Sequence, residues 1–264
     1  MTFTADDGAP LFYRESGAGA PVLVFVHGWQ STGVAWDPVV RLLAASHRCV
    51  VLDLRGTGAS ADAPGAYTVE RFSADVADLL VHLRAGPAIV VGHSMGGAIA
   101  MRLAVDRPEL LAGIVLVAPV PPTGMALPPK VEAVFRATAG DRVALERWMR
   151  RLTLEPLPDA EFSALLEAAA ALRPDVVIET YESWSRLDFA REARTIAVPV
   201  LVLPGEFDRP NLTPEILARE IVQVVPGARM TVVERSGHNV PYEQPEFAAA
   251  AIDAFARRPE GGPA

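Results

Sequence analysis

The chain has 264 residues, half of them hydrophobic, which is enough for one large domain, and its single cysteine, Cys49, excludes an internal disulfide. The formal net charge of −8 disfavours nucleic acids and anionic membrane surfaces as partners, because like charges repel. The N-terminus lacks the pattern of a signal peptide and no apolar run approaches the roughly 18 residues of a membrane span, so we expect a cytoplasmic protein.

The first part of the chain alternates short apolar runs with helical patterns. Residues 1–4 and 11–15 predict an antiparallel hairpin, with Asp7 and Gly8 as its turn signal. Runs of Val, Ile and Leu without polar alternation predict buried strands at residues 21–26, 49–54, 88–91 and 113–117. Helical spacing predicts two helices, at residues 69–83 and 95–105. Strands that alternate with helices in this way are typical of a doubly wound, mostly parallel sheet.

The same alternation resumes in the last quarter of the chain. Apolar runs predict strands at residues 200–203 and 230–234, and helical patterns predict helices at residues 214–225 and 245–256. The sequence therefore predicts an α/β fold with an eight-stranded sheet. Its core is assigned to residues 1–119 and 196–258, and the Gly- and Pro-rich residues 259–264 are expected to form a flexible tail.

Residues 120–195 show no strand signal and carry three broad apolar helical faces. Leu145 begins the first of these faces, Phe162 begins the second, and the third contains Val177. Each face needs another surface to pack on. We interpret this segment as a helical cap inserted after strand 6, over the sheet edge where ligands bind in such folds. A purely structural helical layer is the alternative.

A serine with a glycine two residues away on each side follows the strand predicted at residues 88–91. Residues 92–96 read Gly-His-Ser-Met-Gly, and a helix is predicted directly after them. This pattern is typical of a nucleophile elbow, a tight strand-to-helix turn that exposes the serine hydroxyl. The helix N-terminus would also stabilise a developing oxyanion. We therefore predict that Ser94 is the nucleophile.

A serine hydroxyl needs a base, which is usually a histidine that a carboxylate orients. His238 is the only histidine after Ser94, and it lies in a loop that follows a predicted strand. Asp208 and Glu206 both lie just beyond the strand at residues 200–203. We predict His238 as the base and Asp208 as the acid, with Glu206 as the alternative.

An oxyanion hole and a substrate pocket complete the predicted site. The two oxyanion donors are the backbone N–H groups of Met95, directly after the nucleophile, and of Trp29, in the loop after the third strand. Residues with polar or aromatic side chains are predicted to bind the substrate: Gln30, Trp148, Tyr181 and Trp184. Arginines of the cap segment are interpreted as a solvated helix face, with capture of a substrate carboxylate as the alternative: Arg136, Arg147, Arg150 and Arg151.

Five motifs in chain order resemble those of the α/β-hydrolase superfamily along nearly the whole sequence. They are His-Gly-Trp at 27–29, Asp-Leu-Arg-Gly-Thr-Gly-Ala-Ser at 53–60, the elbow, Gly-Glu-Phe-Asp at 205–208 and Ser-Gly-His at 236–238. The His-Gly-Trp start is similar to that of cofactor-free haloperoxidases and aryl esterases, and enol-lactonases share much of this framework. The resemblance implies a Ser-His-Asp triad, and we assign no cofactor-binding or metal-binding residue.

The sequence as a whole predicts a serine hydrolase that cleaves a small hydrophobic carboxylic ester or lactone through an acyl-enzyme intermediate. We expect this small molecule to be its partner, and the chain to be a monomer or a small homo-oligomer. Two alternatives stay open. The first is a C–C bond hydrolase or a perhydrolase (haloperoxidase) of the same fold, and the second is a ligand-binding receptor with low turnover.

Overall fold

Eight strands form one sheet in the computed structural model, which describes residues 1–257 of the chain. The strands are β1 (Thr2–Thr4), β2 (Pro10–Ser16), β3 (Leu23–Val26), β4 (Cys49–Leu52), β5 (Ala88–His93), β6 (Leu111–Val117), β7 (Val200–Leu203) and β8 (Arg229–Met230). Their order across the sheet is β1-β2-β4-β3-β5-β6-β7-β8. Strands β3 to β8 run parallel and the hairpin β1–β2 lies antiparallel at one edge. The predicted eight-stranded, mostly parallel sheet is confirmed.

Helices cover both faces of this sheet and also fill the interval between β6 and β7. The helices of the described residues are α1 (Asp37–Leu43), α2 (Val69–Leu83), α3 (Met95–Asp106), α4 (Pro129–Ala137), α5 (Arg142–Met149), α6 (Asp159–Ala170), α7 (Pro174–Ser185), α8 (Ala190–Ala193), α9 (Pro214–Leu217), α10 (Val240–Glu243) and α11 (Pro245–Arg257). No helix within residues 1–257 combines the length and the apolar composition that a bilayer crossing requires.

Alternate residues of the central strands pack into two different hydrophobic cores. In β3, Val24 and Val26 face the core that includes α2 and α3, while Leu23 and Phe25 face the core that includes α1 and α11. This two-sided burial explains why these strands show apolar runs without polar alternation. Cys49 belongs to the second core, and burial raises the pKa of its thiol to about 12, so it is a packing residue.

The predicted strand at residues 230–234 is wrong in extent, because β8 has only two residues. The chain beyond Met230 still follows β7, and the N–H of Val233 donates to the carbonyl of Pro204 at 2.8 Å. Pro204 has no N–H of its own, so the regular hydrogen-bond ladder is interrupted there. The predicted helix at residues 214–225 is also divided, since α9 continues as a π-helical turn at Ala218–Val222.

The segment between β6 and β7 contains α4 to α8 and no strand, as expected from its pattern. Helix α4 is an addition to the three predicted helices. It begins directly after Pro128, and a proline at the first helical position costs no hydrogen bond. The division into a core (residues 1–119 and 196–258) and a cap (residues 120–195) remains a prediction, and the predicted tail at 259–264 lies outside the described residues.

Candidate active site

Ser94 occupies the tight turn between β5 and α3. Its backbone has φ 53° and ψ −117°, a conformation that residues other than glycine rarely adopt and that is often found at functional sites. A Cβ on Gly92 would collide with the carbonyl of Gly96, and a Cβ on Gly96 would collide with the carbonyl of Val26. Both flanking positions therefore require glycine, and the turn has the geometry of a nucleophile elbow.

Three side chains from different strand ends form one hydrogen-bonded chain. The Nε2 of His238 lies 3.1 Å from the Oγ of Ser94, and its Nδ1 lies 3.0 and 3.1 Å from the two carboxylate oxygens of Asp208. The Asp208 side chain has no exposed surface and also accepts the backbone N–H of Arg209 at 2.6 Å. The parallel strands bring these residues together because their carboxyl ends meet at one edge of the sheet.

Glu206, the alternative acid, has a different hydrogen-bond partner from Asp208. Its side chain is exposed, and its carboxylate accepts the backbone N–H of Arg235 at 2.9 Å. Among the described residues, the carboxylate that contacts the imidazole of His238 is that of Asp208.

The loop that carries His238 is held by a carboxylate that the sequence reasoning missed. Glu243 on α10 accepts the backbone N–H groups of Gly237 at 3.0 Å and of Asn239 at 3.1 Å, the residues on either side of His238. Burial raises the pKa of Glu243, and these N–H donors oppose that rise. An acidic residue five positions after the histidine is the sequence signal that could have revealed this role.

The loop at residues 27–30 lies against Ser94. A Cβ on Gly28 would lie 3.0 Å from the Cβ of Ser94, and Trp29 follows directly. His27 fixes the loop, because its Nδ1 donates to the carbonyl of Gly28 at 2.9 Å and its Nε2 accepts the N–H of Leu54 at 3.1 Å. Met95, on the other side of Ser94, begins α3, where first-turn N–H groups have no acceptor within the helix.

The family model described as the alpha/beta hydrolase family matches residues 23–251 of the sequence. The chain belongs to the α/β-hydrolase family. A candidate non-heme bromoperoxidase of Mycobacterium tuberculosis is 32% identical, over 93% of this chain and 97% of that protein. A bifunctional esterase/perhydrolase of Acinetobacter calcoaceticus is 26% identical, over 96% of this chain and 98% of that protein. An esterase structure from Exiguobacterium antarcticum has the same fold, with a TM-score of 0.90 at 20% identity over 97% of this chain and 99% of that one.

A cavity of about 50 Å³ in this α/β-hydrolase is bordered by Ser94 and His238. Its other borders are largely apolar and include residues of the helical segment between β6 and β7: Phe135, Trp148, Met149, Leu152, Leu165 and Trp184. A larger, open groove of about 650 Å³ adjoins it between α4 and residues 207–211. The helical segment thus contributes one wall of the space in front of the serine.

Three of the four predicted substrate-binding residues border this cavity, namely Gln30, Trp148 and Trp184. Tyr181 is not among the residues that border it, and its role in substrate binding remains a prediction. Its ring is buried behind the border, with centroids 5.1 Å from Trp184 and 5.8 Å from Trp29. Tyr181 therefore supports the aromatic wall from behind.

The polar groups of Trp29 and Gln30 are already engaged by the helical segment. The indole N–H of Trp29 donates to the carbonyl of Val177 at 2.8 Å, and its ring stacks on Phe135 at 5.3 Å. The amide oxygen of Gln30 accepts the hydroxyl of Thr138 at 2.8 Å. These contacts fasten the loop to the helices, and the role of Gln30 in substrate binding remains a prediction.

Two of the arginines proposed as alternative carboxylate ligands have acidic partners. Arg136 pairs with Glu132 at 2.9 Å and with Glu182 at 2.8 Å, and Arg150 pairs with Glu146 at 2.7 Å. All of these side chains are partly or largely exposed. Arg136 on α4 and Arg150 at the end of α5 therefore form solvent-exposed ion pairs.

Proposed function

We propose that this α/β-hydrolase cleaves small hydrophobic carboxylic esters or lactones through an acyl-enzyme intermediate on Ser94. The observation that carries the proposal is the hydrogen-bonded chain from the Ser94 hydroxyl through His238 to the Asp208 carboxylate. A hydroxyl in this arrangement can lose its proton to the imidazole as it attacks a carbonyl. The esterase activity named for the Acinetobacter calcoaceticus relative supports the same reaction class.

In the proposed mechanism Ser94 Oγ attacks the carbonyl carbon while His238 Nε2 accepts the hydroxyl proton. The backbone N–H groups of Trp29 and Met95 stabilise the tetrahedral oxyanion. His238 then gives its proton to the leaving alkoxide, which in a lactone stays attached to the acyl chain. A water molecule, deprotonated by His238, then attacks the acyl carbonyl. The bond to Ser94 Oγ breaks, His238 returns the proton to that oxygen, and the acid is released. Asp208 holds the imidazole tautomer and stabilises the imidazolium throughout.

The size of the cavity favours short acyl groups. A volume of about 50 Å³ with a mostly apolar border suits a few carbon atoms beside the serine. The adjoining groove is open and gives a leaving group of variable size a route to solvent. We therefore expect activity to fall as the acyl chain lengthens.

Hydrolysis of 4-nitrophenyl esters with acyl chains from two to ten carbons tests the proposal, with Ser94→Ala beside the wild type. We expect the wild type to prefer short chains and the variant to lose kcat by on the order of 10⁶-fold, as is found when a serine nucleophile is removed. Equal activity of the two proteins would overturn the assignment of Ser94. Ligand binding by a wild type that turns over neither esters nor lactones would instead favour the receptor alternative.

A second candidate activity is peracid formation, which the perhydrolase relative favours. Hydrogen peroxide would replace water, so that the acyl-enzyme and H₂O₂ give free Ser94 and a peracid. Measurement of peracid from a short acyl ester and peroxide tests this activity. We expect Ser94→Ala to form no peracid above the uncatalysed level. If the wild type also forms no more than that level, the enzyme is a hydrolase without perhydrolase activity.

A further inference from the structure

Arg209 is a cation at the border of the cavity whose guanidinium has no acceptor within residues 1–257. It directly follows Asp208 and borders both the cavity that contains Ser94 and the adjoining groove. Its described side-chain contacts are with two aromatic rings. The guanidinium carbon lies 4.9 Å from the ring centroid of Trp148 and 5.6 Å from that of Phe135.

Arg209 is half-buried, whereas a second arginine, Arg55, is fully buried and has acidic partners. Arg55 has no exposed side-chain surface and pairs with the equally buried Asp75 at 2.7 Å and with Asp7 at 2.8 Å. Such pairing is the rule, because a charge removed from water without a partner is costly. Burial lowers the pKa of Arg209 to about 10, so its guanidinium is still charged at neutral pH.

The carboxylate of Asp208, the residue before Arg209, is already hydrogen-bonded to other groups. Asp208 belongs to the hydrogen-bonded chain with His238 and accepts the backbone N–H of Arg209, not its side chain. Two further donors at the cavity border, the indole N–H groups of Trp148 and Trp184, are buried without a partner in the described part of the chain. Arg209 therefore offers the site a positive charge that no carboxylate of the described residues pairs with.

We propose that Arg209 binds a carboxylate of the substrate, so that the preferred substrates are short esters or lactones that carry one free carboxylate. This inference rests on the proposed function and names its substrate class. The rings of Trp148 and Phe135 pack against the guanidinium from one side, and its N–H edge can donate two parallel hydrogen bonds to a carboxylate. Arg209 is then a specificity-determining residue beside the acid of the triad.

A pair of substrates with the same shape and different charge tests the role of Arg209. Monomethyl glutarate carries the free carboxylate, and methyl 4-carbamoylbutanoate carries a neutral amide in its place. Methanol release by the wild type is compared with that of Arg209→Met, Arg209→Lys and Arg147→Met. The last is a control that removes one charge from the exposed part of α5, beside Trp148.

We expect Arg209→Met to reduce kcat/KM for monomethyl glutarate by about 100-fold, mainly through KM, because the carboxylate loses a charge-assisted partner. The neutral amide ester should change by less than about threefold, Arg209→Lys should retain part of the preference, and Arg147→Met should behave as the wild type. An equal loss for both esters in Arg209→Met, or a wild type without preference for the carboxylate, would overturn the inference and leave the hydrolase proposal intact.

A binding measurement separates this inference from the proposed function. Calorimetric titration of Ser94→Ala with monomethyl glutarate needs no turnover, and the double variant with Arg209→Met is its comparison. We expect binding to the single variant and at least tenfold weaker binding to the double variant. Equal affinities would contradict the role of Arg209 even if Ser94 were the nucleophile. Failure of the Ser94 assignment would appear separately, in the ester assays.

Discussion

The two walls of the cavity are built in different ways. The wall that comes from the sheet edge carries Ser94, His238 and Asp208, and its polar atoms are held by hydrogen bonds of 3.0 to 3.1 Å. The wall that comes from the helical segment carries Trp148 and Trp184, whose indole N–H groups have no partner in the described residues. In the function proposed here, the sheet edge supplies the chemistry, whereas the helical wall and Arg209 select the substrate.

After removal of Ser94 itself, loss of the acid of the proposed triad should have the largest effect on the sheet-edge wall. Asp208→Asn should lower kcat by about 10,000-fold, because an amide cannot hold the reactive tautomer of His238 or stabilise its imidazolium. Glu206→Gln is the matched control, since Glu206 is exposed and contacts the Arg235 backbone instead. Steady-state ester hydrolysis measures both variants, and a greater loss in Glu206→Gln would reverse the assignment of the acid.

On the helical wall, Phe135 is expected to contribute to stability and to acyl-chain preference. Its ring stacks on Trp29 at 5.3 Å and is 5% exposed, so Phe135→Ala should cost about 3 kcal/mol in the free energy of unfolding. The enlarged cavity should shift the preferred ester to a longer acyl chain. Val134→Ala, on the same helix and 47% exposed, should cost less than about 0.5 kcal/mol.

Urea denaturation and the ester series measure these two effects of Phe135→Ala. An unchanged chain-length optimum in a folded variant would show that Phe135 does not limit the acyl pocket. A loss of stability no greater than that of Val134→Ala would contradict the packing role of its ring.

The smallest expected effect is a pH dependence of stability that comes from His93, next to Ser94. Burial is the main cause that lowers its pKa to about 3, and the neighbouring His238 ring, 5.0 Å away, adds to it. Below about pH 6.5 an unfolded histidine binds a proton that folded His93 does not, so stability falls as the pH falls toward 3. At pH 5 this linkage amounts to about 2 kcal/mol relative to pH 7.5.

Denaturation of the wild type and His93→Gln at both pH values measures this linkage. Glutamine can keep the hydrogen bond that His93 Nε2 donates to the carbonyl of His238 at 2.9 Å. The wild type should lose about 2 kcal/mol more than the variant between pH 7.5 and 5. Parallel losses in the two proteins would show that folding does not lower the pKa of His93.

The residues of the sheet-edge wall could be predicted from sequence because each of them lies in a short local motif. The glycines around Ser94 form a recognisable motif, because Gly92 is required by a contact within the turn and Gly96 by the close approach of β3. The bounds predicted for helix α2, Val69–Leu83, are those that the structure shows. Chain order then left one histidine for the base. Strand β8 was predicted too long because the pattern of residues 230–234 does not reveal that Pro204 interrupts its partner.

The helical wall could be predicted only as a set of helices. Whether an aromatic side chain borders the cavity or lies behind it, as Tyr181 does, depends on packing between distant segments. Arg209 was missed for the same reason. Its proposed role depends on the absence of a carboxylate partner among the described residues. The spacing of residues in the sequence does not show which arginines form such a pair.

Direct capture of the acyl-enzyme tests the central claim that Ser94 is the nucleophile of an ester hydrolase. The enzyme is mixed with a fluorophosphonate or a slowly deacylating nitrophenyl ester, and its intact mass and peptide map are recorded. We predict one adduct, located on the peptide that contains Ser94, absent in Ser94→Ala and formed far more slowly in His238→Ala. An adduct on a different residue, or none while esters are still hydrolysed, would contradict the account.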